Sequence, residues 1–425
     1  MRLLIVGSGG REHTLAWRLA QDPGVTEILC VPGNPGMAQV GRCLPAKVTD
    51  PGAILALIEV EKVDLTVVGP EAALDAGLAD LLRSRGHAVV GPVRRAAVLE
   101  TSKVFAKQLM AEAGIPTARF LACNTLESAL AAVSGDDFGF PVVIKADGLA
   151  GGKGVVIAAT RAEAEAAVRA ALVDRQFGDA GNTLVIEECL TGPEVSFFVL
   201  ADGRRAISIG SAQDHKRVFD DDQGPNTGGM GAFAPSPLMT PELEAEVMRT
   251  IVQPVIDGLH WDGGYRGFLY VSLMLTPAGP KVIEYNVRFG DPETQVVWPL
   301  LSGNLTEVLL AAARGDLGAH RVDMAPGACV GVVLAAPGYP ASPTTGQVIT
   351  GANGDFGAEV TVFHAGTAMK DGDLVTSGGR VLTVVGRGAS HSDAMQKAYA
   401  AVGKISFDGM HYRTDIGRKA LGPYL

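Results

Sequence analysis

The sequence predicts an α/β protein of several domains that opens on a parallel sheet and closes on a β-rich segment. Three observations point there. The first hundred residues alternate short apolar runs with helix-like stretches. From about residue 103 that alternation gives way to strands separated by Gly-rich loops. The last hundred residues hold a Gly-punctuated strand region. A chain of 425 residues exceeds one ordinary core, and roughly two to four domains are expected.

Taken in order, Leu3–Val6, Glu27–Val31, Leu65–Val68 and Ala88–Val90 are apolar runs, each followed by Gly or Pro. Helix-like stretches lie between them at Arg11–Gln21, Ala53–Glu61 and Leu74–Arg85. This is the pattern of parallel βαβ units. The loops after the strands, Gly7–His13, Pro32–Gly36 and Gly69–Glu71, then fall at the carboxyl edge, where open α/β sheets bind ligands. Lys103–Ala113 reads as a helix, and Pro141–Ala146 and Val155–Ala159 as two strands around a Gly-rich loop. A helix over Arg161–Leu172 and a strand over Thr183–Glu188 follow. A polar Gly-rich loop is expected near Asp214–Gly231. Strands at Gly267–Leu275 and Lys281–Val287 form a hairpin through Pro277–Pro280. Cys329–Leu334 reads as a strand, Glu359–Gly386 as a β region, and Ser390 as the cap of a helix.

Composition removes several function classes. Apolar residues make up 47% and charged residues 19%, which excludes a disordered chain. The net charge of −10 argues against nucleic-acid binding, which needs clustered Lys and Arg. No apolar run approaches the roughly 20 residues of a membrane span. Met1–Gly7 runs straight into a strand, so no signal peptide is expected. Five scattered Cys, never spaced C-x-x-C, read as reduced thiols of a cytoplasmic protein, without a zinc site or disulfide framework.

Four constellations carry chemistry. Lys145-Ala146-Asp147-Gly148-Leu149-Ala150-Gly151-Gly152-Lys153-Gly154 offers bare backbone N–H groups and two lysines, which suit phosphate oxygens. It is not a Walker A loop, because no Ser or Thr follows the Lys and a strand follows in place of a helix. In Ile186-Glu187-Glu188-Cys189-Leu190, with Glu194 beyond, a strand end could meet adenine and ribose; alone it reads more readily as a solvated edge. In Val282–Arg288, Glu284 and Asn286 stand two apart and share a strand face. Two oxygen ligands suit Mg²⁺, which keeps waters and phosphate oxygens in its other positions. Asp214-His215-Lys216-Arg217, leading into Gly224–Gly231, could bind a zwitterion, although alone it reads as a solvated loop; His215 receives no role. Gly7-Ser8-Gly9-Gly10 is half a dinucleotide fingerprint, with Glu12 where the third Gly belongs and no acidic ribose ligand after the second strand. A nicotinamide enzyme is therefore not expected, while a phosphate-bearing substrate at the helix start remains reasonable.

In this order the pieces resemble the ATP-grasp ligases, and within them the phosphoribosylamine–glycine ligase family. That resemblance rests on Gly9–His13, Lys145–Ala150, Gln213–Arg217, Gly224–Gly231 and Arg288–Gln295, and runs from Met1 to about Gly417. Two departures, Gly151 for Ala and Ser272 for Gly, remove no charged or metal-binding group. The resemblance implies a Rossmann-like N-terminal domain over 1–102 and a two-part ATP-grasp core over 103–320, its small subdomain at about 117–190. A small β-rich C-terminal domain would span 321–425. It further implies ATP-dependent joining of glycine to 5-phosphoribosylamine through glycyl phosphate, with Mg²⁺ or Mn²⁺. Lys103, Lys145 and Lys153, with Gly151, Gly152 and Gly154, would hold phosphates. Glu187, Glu194 and the backbone of Leu190 would hold adenosine. Glu284 and Asn286 would bind metal. Asp214, Lys216 and Arg288 would surround glycine and its acyl phosphate, beside Gly290 and Asp291. Gly9, Gly10 and Glu71 would lie on the phosphoribosylamine side. Catalysis would rest on Lys145, Lys153, Asp214, Lys216 and Arg288. A transient contact with the enzyme supplying phosphoribosylamine is also expected. The rivals are a bicarbonate-activating relative and a non-catalytic nucleotide sensor.

Overall fold

In the computed structural model, residues 1–135, 137–148 and 154–422 are described, without the side chain of Asp262. The loop residues Gly151, Gly152 and Lys153 lie outside the described residues.

The N-terminal unit holds strands β1 (Arg2–Gly7), β2 (Glu27–Pro32), β3 (Arg42–Cys43), β4 (Leu65–Val68) and β5 (Val89–Val90). They form a parallel sheet in the order β3-β2-β1-β4-β5. Helices α1 (Gly10–Leu19) and α2 (Pro51–Glu61) follow β1 and β3. The order reverses between β1 and β4, which opens a crevice at their carboxyl ends. The expected helix Leu74–Arg85 is in fact two, α3 (Glu71–Asp75) and α4 (Leu78–Ser84). Gly77 between them adopts φ +82°, a left-handed conformation that stops a helix and that glycine takes without steric cost.

Helices α5 (Arg94–Thr101) and α6 (Lys103–Glu112) lead into a four-stranded antiparallel sheet. Its strands are β6 (Phe120–Cys123), β7 (Val142–Ala146), β8 (Val155–Ala158) and β9 (Leu184–Glu188), in the order β6-β9-β7-β8. Helices α7 (Leu126–Ser134) and α8 (Arg161–Leu172) cover one face and share with it a separate core around Ile144, Val168 and Ile186.

The next strands build a larger sheet. They are β10 (Glu194–Asp202), β11 (Ala206–Asp214), β14 (Gly231–Ala234), β15 (Arg266–Thr276) and β16 (Gly279–Asn286). The polar loop expected at Asp214–Gly231 contains a hairpin of β12 (Arg217–Phe219) and β13 (Gln223–Asn226), strands that pair only with each other. Its exposed residues show no apolar alternation, so a sequence pattern could not find it. Helices α9 (Pro241–Val247) and α10 (Gln253–Gly258), joined by a π-helical turn, pack on the large sheet. After β16 come α11 (Glu293–Val297), β17 (Leu301–Ser302), α12 (Leu305–Arg314) and β18 (Asp323–Met324).

The chain ends with β19 (Ala328–Ala335), β20 (Val360–His364), β21 (Thr367–Lys370), β22 (Asp373–Thr376), β23 (Arg380–Gly388) and α13 (His391–Val402). The Ser390 side chain caps α13 by accepting from the Asp393 amide. This β-rich region does more than pack on the core. β19 pairs with β14, so one sheet of eight strands runs β16-β15-β10-β11-β14-β19-β23-β20.

The N-terminal sheet and the large sheet share two cores, one holding Leu4, Phe197 and Val271, the other Ile5, Phe198 and Trp298. At one point their backbones approach closely. A Cβ on Gly267, at φ +138°, would lie 2.9 Å from the backbone of Gly91. Gly267→Ala therefore combines a clash with an unfavourable backbone angle. It is expected to cost about 2–4 kcal/mol, measured as a lowered thermal midpoint; an unchanged midpoint would show that the two units yield freely there.

Candidate active site

The cleft between the small and large sheets is lined by charge. Lys145 projects from β7, and its Nζ reaches both Glu187 Oε2 on β9 (3.0 Å) and the Ile283 carbonyl on β16 (3.4 Å). Lys107 on α6 pairs with the same Glu187 oxygen at 3.2 Å. Glu188, beside it, binds Arg119 and Lys281 and is held down at about pKa 2; burial opposes this, but those two cations and their hydrogen bonds outweigh it. Lys103 sits at the start of α6, its Nζ donating to the Gly148 carbonyl at 3.2 Å. Burial lowers its pKa, while Glu284 pulls it back up. Asp147 accepts from the Val104 amide (2.7 Å) and the Ser102 hydroxyl, so it caps α6 and fixes Lys103 to the end of β7.

Glu284 and Asn286 stay in alternation on β16, opposite Ser272 and Tyr270. A bulge between Val282 and Glu284 interrupts the pairing just before them. The Asn286 oxygen accepts from Arg288 Nη2 at 3.1 Å. Glu284 makes no hydrogen bond or ion pair among the described residues, yet its charge raises the pKa of both Lys103 and Lys216. No group of three or more His, Cys, Asp or Glu is arranged to hold a metal among the described residues. The donor set of one free carboxylate and one amide fits Mg²⁺ or Mn²⁺, whose remaining positions go to water and phosphate oxygens.

Further along the large sheet, Lys216 Nζ pairs with Glu194 Oε2 at 2.7 Å. That contact joins a residue expected at ribose to one expected at glycine. Asp214 lies at the end of β11. Burial pushes its carboxyl up to about pKa 7, the charges of Glu293 and Glu194 add to this, and Lys216 opposes it.

Arg288 leaves β16 and meets Glu71 (3.0 Å), Glu100 (2.9 Å) and Asn286. Burial raises the Glu100 carboxyl, whereas at Glu71 the nearby Arg288 and Arg11 outweigh burial and lower it. Asp291 accepts from the Arg11 amide (3.2 Å) and from Gln295 (2.9 Å). Gly290 leaves no room for a side chain, since a Cβ would lie 2.4 Å from Glu293 Oε2. The start of α1 differs from expectation. The Gly9 amide donates to Glu12 Oε2 at 2.7 Å, and the Arg11 amide to Asp291. Those two donors are already satisfied and are not open to a phosphate. A Cβ on Gly10 would meet Gln295 Nε2 at 2.4 Å, so this glycine serves close packing.

Several site residues escaped the sequence. Glu293 is buried and accepts from Tyr270 (3.0 Å) and Ser196 (3.4 Å). Its place in the Arg288–Gln295 run was a usable signal. Lys107 stands one helical turn after Lys103, a spacing that puts both on one side of α6. Arg380, on β23, donates to the carbonyls of Gly228 (2.7 Å) and Asp291 (2.6 Å). It tethers two distant motifs from the far end of the chain, with no local signal.

Comparison with known proteins gives these features a class first. The model of the phosphoribosylglycinamide synthetase ATP-grasp domain matches residues 101–294, which makes the centre of the chain an ATP-grasp domain. The N-domain and C-domain models of the same synthetase match residues 1–100 and 329–419. The chain belongs to the phosphoribosylglycinamide synthetase family. The phosphoribosylamine–glycine ligase of Ralstonia nicotianae is 49% identical over 99% of this chain and 100% of its own. The crystal structure of phosphoribosylamine–glycine ligase from Thermotoga maritima superposes with a TM-score of 0.85 at 37% identity, over 98% of this chain and 100% of that one. The biotin carboxylase domain of Hydrogenobacter thermophilus 2-oxoglutarate carboxylase shares the fold, with a TM-score of 0.74 at 19% identity over 97% of this chain and 91% of that one.

The raised pKa of Asp214 has a testable sign. Its folded value of about 7 exceeds the ordinary 3.8, so folding favours the protonated acid. The stability it contributes is complete below pH 4 and is lost as pH rises through 7. Asp214→Asn cannot ionise. Its stability relative to the unchanged protein should therefore climb between pH 4 and 7 in denaturation measurements; parallel pH profiles would place Asp214 in water.

Proposed function

We infer that the site activates the carboxylate of glycine with ATP and passes the glycyl group to the amine of 5-phosphoribosylamine. The products are glycinamide ribonucleotide, ADP and phosphate. The chain is a carbon–nitrogen ligase by family. The observation that carries the reading to this cleft is the unpaired Glu284 carboxylate, within electrostatic reach of both Lys103 and Lys216.

A glycine oxygen attacks the γ-phosphorus, and ADP departs with the electrons of the broken P–O bond. The amine then attacks the acyl carbon, loses a proton and expels phosphate. Both steps build charge on phosphoryl and acyl oxygens, so fixed positive charge does most of the catalysis. Lys103 and Lys145 are assigned to the phosphates, together with Gly154 and with Lys153, Gly151 and Gly152, which lie outside the described residues. Glu187, Leu190 and Glu194 receive adenosine. The Lys216–Glu194 pair supports placing the ribose and glycine ends side by side. Asp214 takes the glycine ammonium, while Lys216 and Arg288 face its carboxylate and the acyl phosphate. A divalent ion, Mg²⁺ or Mn²⁺, held by Glu284 and Asn286 would neutralise phosphate charge. Glu71, Gly9 and Gly10 border the phosphoribosylamine side, the two N-terminal glycines through shape, and Gly290 and Asp291 stand beside the glycine end. The working units are 1–102, 103–320 with its small part at about 117–190, and 321–425. The protein acts in the cytoplasm, and a transient contact with the enzyme supplying phosphoribosylamine shortens the life of that unstable amine. Among the described residues no helix is long and apolar enough to cross a membrane.

Mass-spectrometric analysis should find glycinamide ribonucleotide in step with ADP, only when glycine and freshly made phosphoribosylamine are both present. Equal turnover with bicarbonate or a bulky amino acid would sink the reading. Glu284→Gln keeps size and removes a charge from the metal-binding pair. Turnover should fall at least on the order of 10²-fold, with partial recovery at high metal and little change in folding. Normal activity at sub-saturating metal would mean that the ion is held elsewhere.

A further inference from the structure

Two lysines converge on one oxygen of Glu187, and the other oxygen has no partner among the described residues. Lys107 and Lys145 both contact Oε2, at 3.2 and 3.0 Å. Oε1 is buried and accepts no hydrogen bond from the described residues. A buried carboxylate oxygen left unpaired costs free energy, so it marks a place where a donor from a ligand belongs. Lys145 has a second task, since it also donates across the cleft to Ile283. Lys107 Nζ also donates to Thr117 Oγ1 at 2.7 Å, which donates to the Val282 carbonyl at 2.7 Å. The chain Glu187–Lys107–Thr117–Val282 thus ties β9 of the small sheet to β16 of the large one.

We propose that Lys107 is a positioning residue for the nucleotide: it holds Glu187 so that the free oxygen accepts a hydrogen bond from the exocyclic amine of an aminopurine, and thereby selects ATP over 6-oxopurine triphosphates. This rests on the reading of Glu187 as an adenosine contact. A carboxylate accepts and does not donate. An amine at the purine 6-position satisfies it, whereas a carbonyl there faces it acceptor to acceptor. A site built to hydrogen-bond a group discriminates strongly against the analogue that lacks it. The discrimination requires the carboxylate to stay in one rotamer, and two cations on one oxygen enforce that.

The charges that bear most on Lys107 are Glu187 and Glu188 of β9 and Lys145 of β7. From β6 it meets the Phe120 ring at 5.7 Å. No charged side chain of α5, α10 or β16 forms an ion pair with it among the described residues. Burial draws its pKa down to about 8, with Glu187 opposing. The hold on Glu187 is therefore present below pH 8 and weakens above it.

The test compares steady-state KM for ATP, inosine triphosphate and glycine in Lys107→Met, Lys107→Arg and Glu187→Gln. Lys107→Met should raise the ATP KM about tenfold, the loss expected for one charge-assisted hydrogen bond. It should leave the glycine KM within about twofold and shrink the preference for ATP over inosine triphosphate. Arginine keeps its charge at high pH. Lys107→Arg should therefore restore the preference and remove the rise in ATP KM above pH 8 expected of the unchanged enzyme. A merely structural role would raise the KM of every substrate together and leave the nucleotide preference intact, and that result overturns the proposal. If Glu187→Gln also leaves the preference unchanged, the adenosine contact itself is wrong. If Glu187→Gln abolishes it and both Lys107 variants keep it, only the role of Lys107 fails. Should Lys107→Met not fold, the pH profile of Lys107→Arg alone decides, since a rise above pH 8 identical to the unchanged enzyme refutes the proposal.

Discussion

Arg288 brings a full charge into a largely covered site at the point where three segments of chain must meet. Its guanidinium contacts Glu71 at the head of α3, Glu100 near the end of α5, and Asn286 on its own strand. A charge drawn out of water is tolerated only with partners that repay its desolvation, so the N-terminal crevice, the helix entering the ATP-grasp region and the strand that carries Glu284 and Asn286 share one geometry. Asp291 extends the same constraint. It takes the Arg11 amide from α1 and lies under Arg380 from β23. Residues from all three matched regions therefore hold the turn after β16, and substrates bound there would be fixed by the whole chain.

The small sheet stands outside this arrangement. It has a separate core of Ala, Val, Leu and Ile side chains, while the N-terminal and large sheets share theirs. Its links to the large sheet are polar: Lys145 to Ile283, Glu188 to Lys281, and Lys107 through Thr117 to Val282. Polar links cost less to break and remake than apolar packing, because water can replace each partner. A body with its own core, tied by such links, can shift without unfolding. That suits a ligase whose acyl phosphate must be shielded from water during one step and released after the next.

Much of this was legible in the sequence, and the remainder was hidden for physical reasons. The parallel N-terminal strands showed because buried parallel strands read as continuous apolar runs. Glu284 and Asn286 showed because strand alternation fixes which side chains share a face. Strands β10 and β11 did not show: Ser, Gly, Gln and Asp interrupt them where the central sheet meets the site. The occupied amide of Arg11 could not be foreseen either, since Asp291 comes from 280 residues away. Arg380 escaped for the same reason. Local pattern reports what a segment prefers, and these contacts exist only because distant segments fold together.

The charges in the cleft follow a common rule. Lys216 holds Glu194, Lys145 holds Glu187 and Arg288 holds Glu71. Each pair lowers the cost of keeping a charged group preorganised before any ligand arrives. Glu284 differs from these, with no ion pair among the described residues, although Lys103 and Lys216 feel its field. An arriving nucleotide brings several negative charges of its own, which would repel Glu284 unless a cation came with them. The same bare carboxylate that is unfavourable beside free triphosphate becomes favourable beside a metal–triphosphate complex. On the proposed role of Glu284 as a metal ligand, selectivity for a metal-bound nucleotide would follow from leaving this acid unpaired beside the compensated pairs.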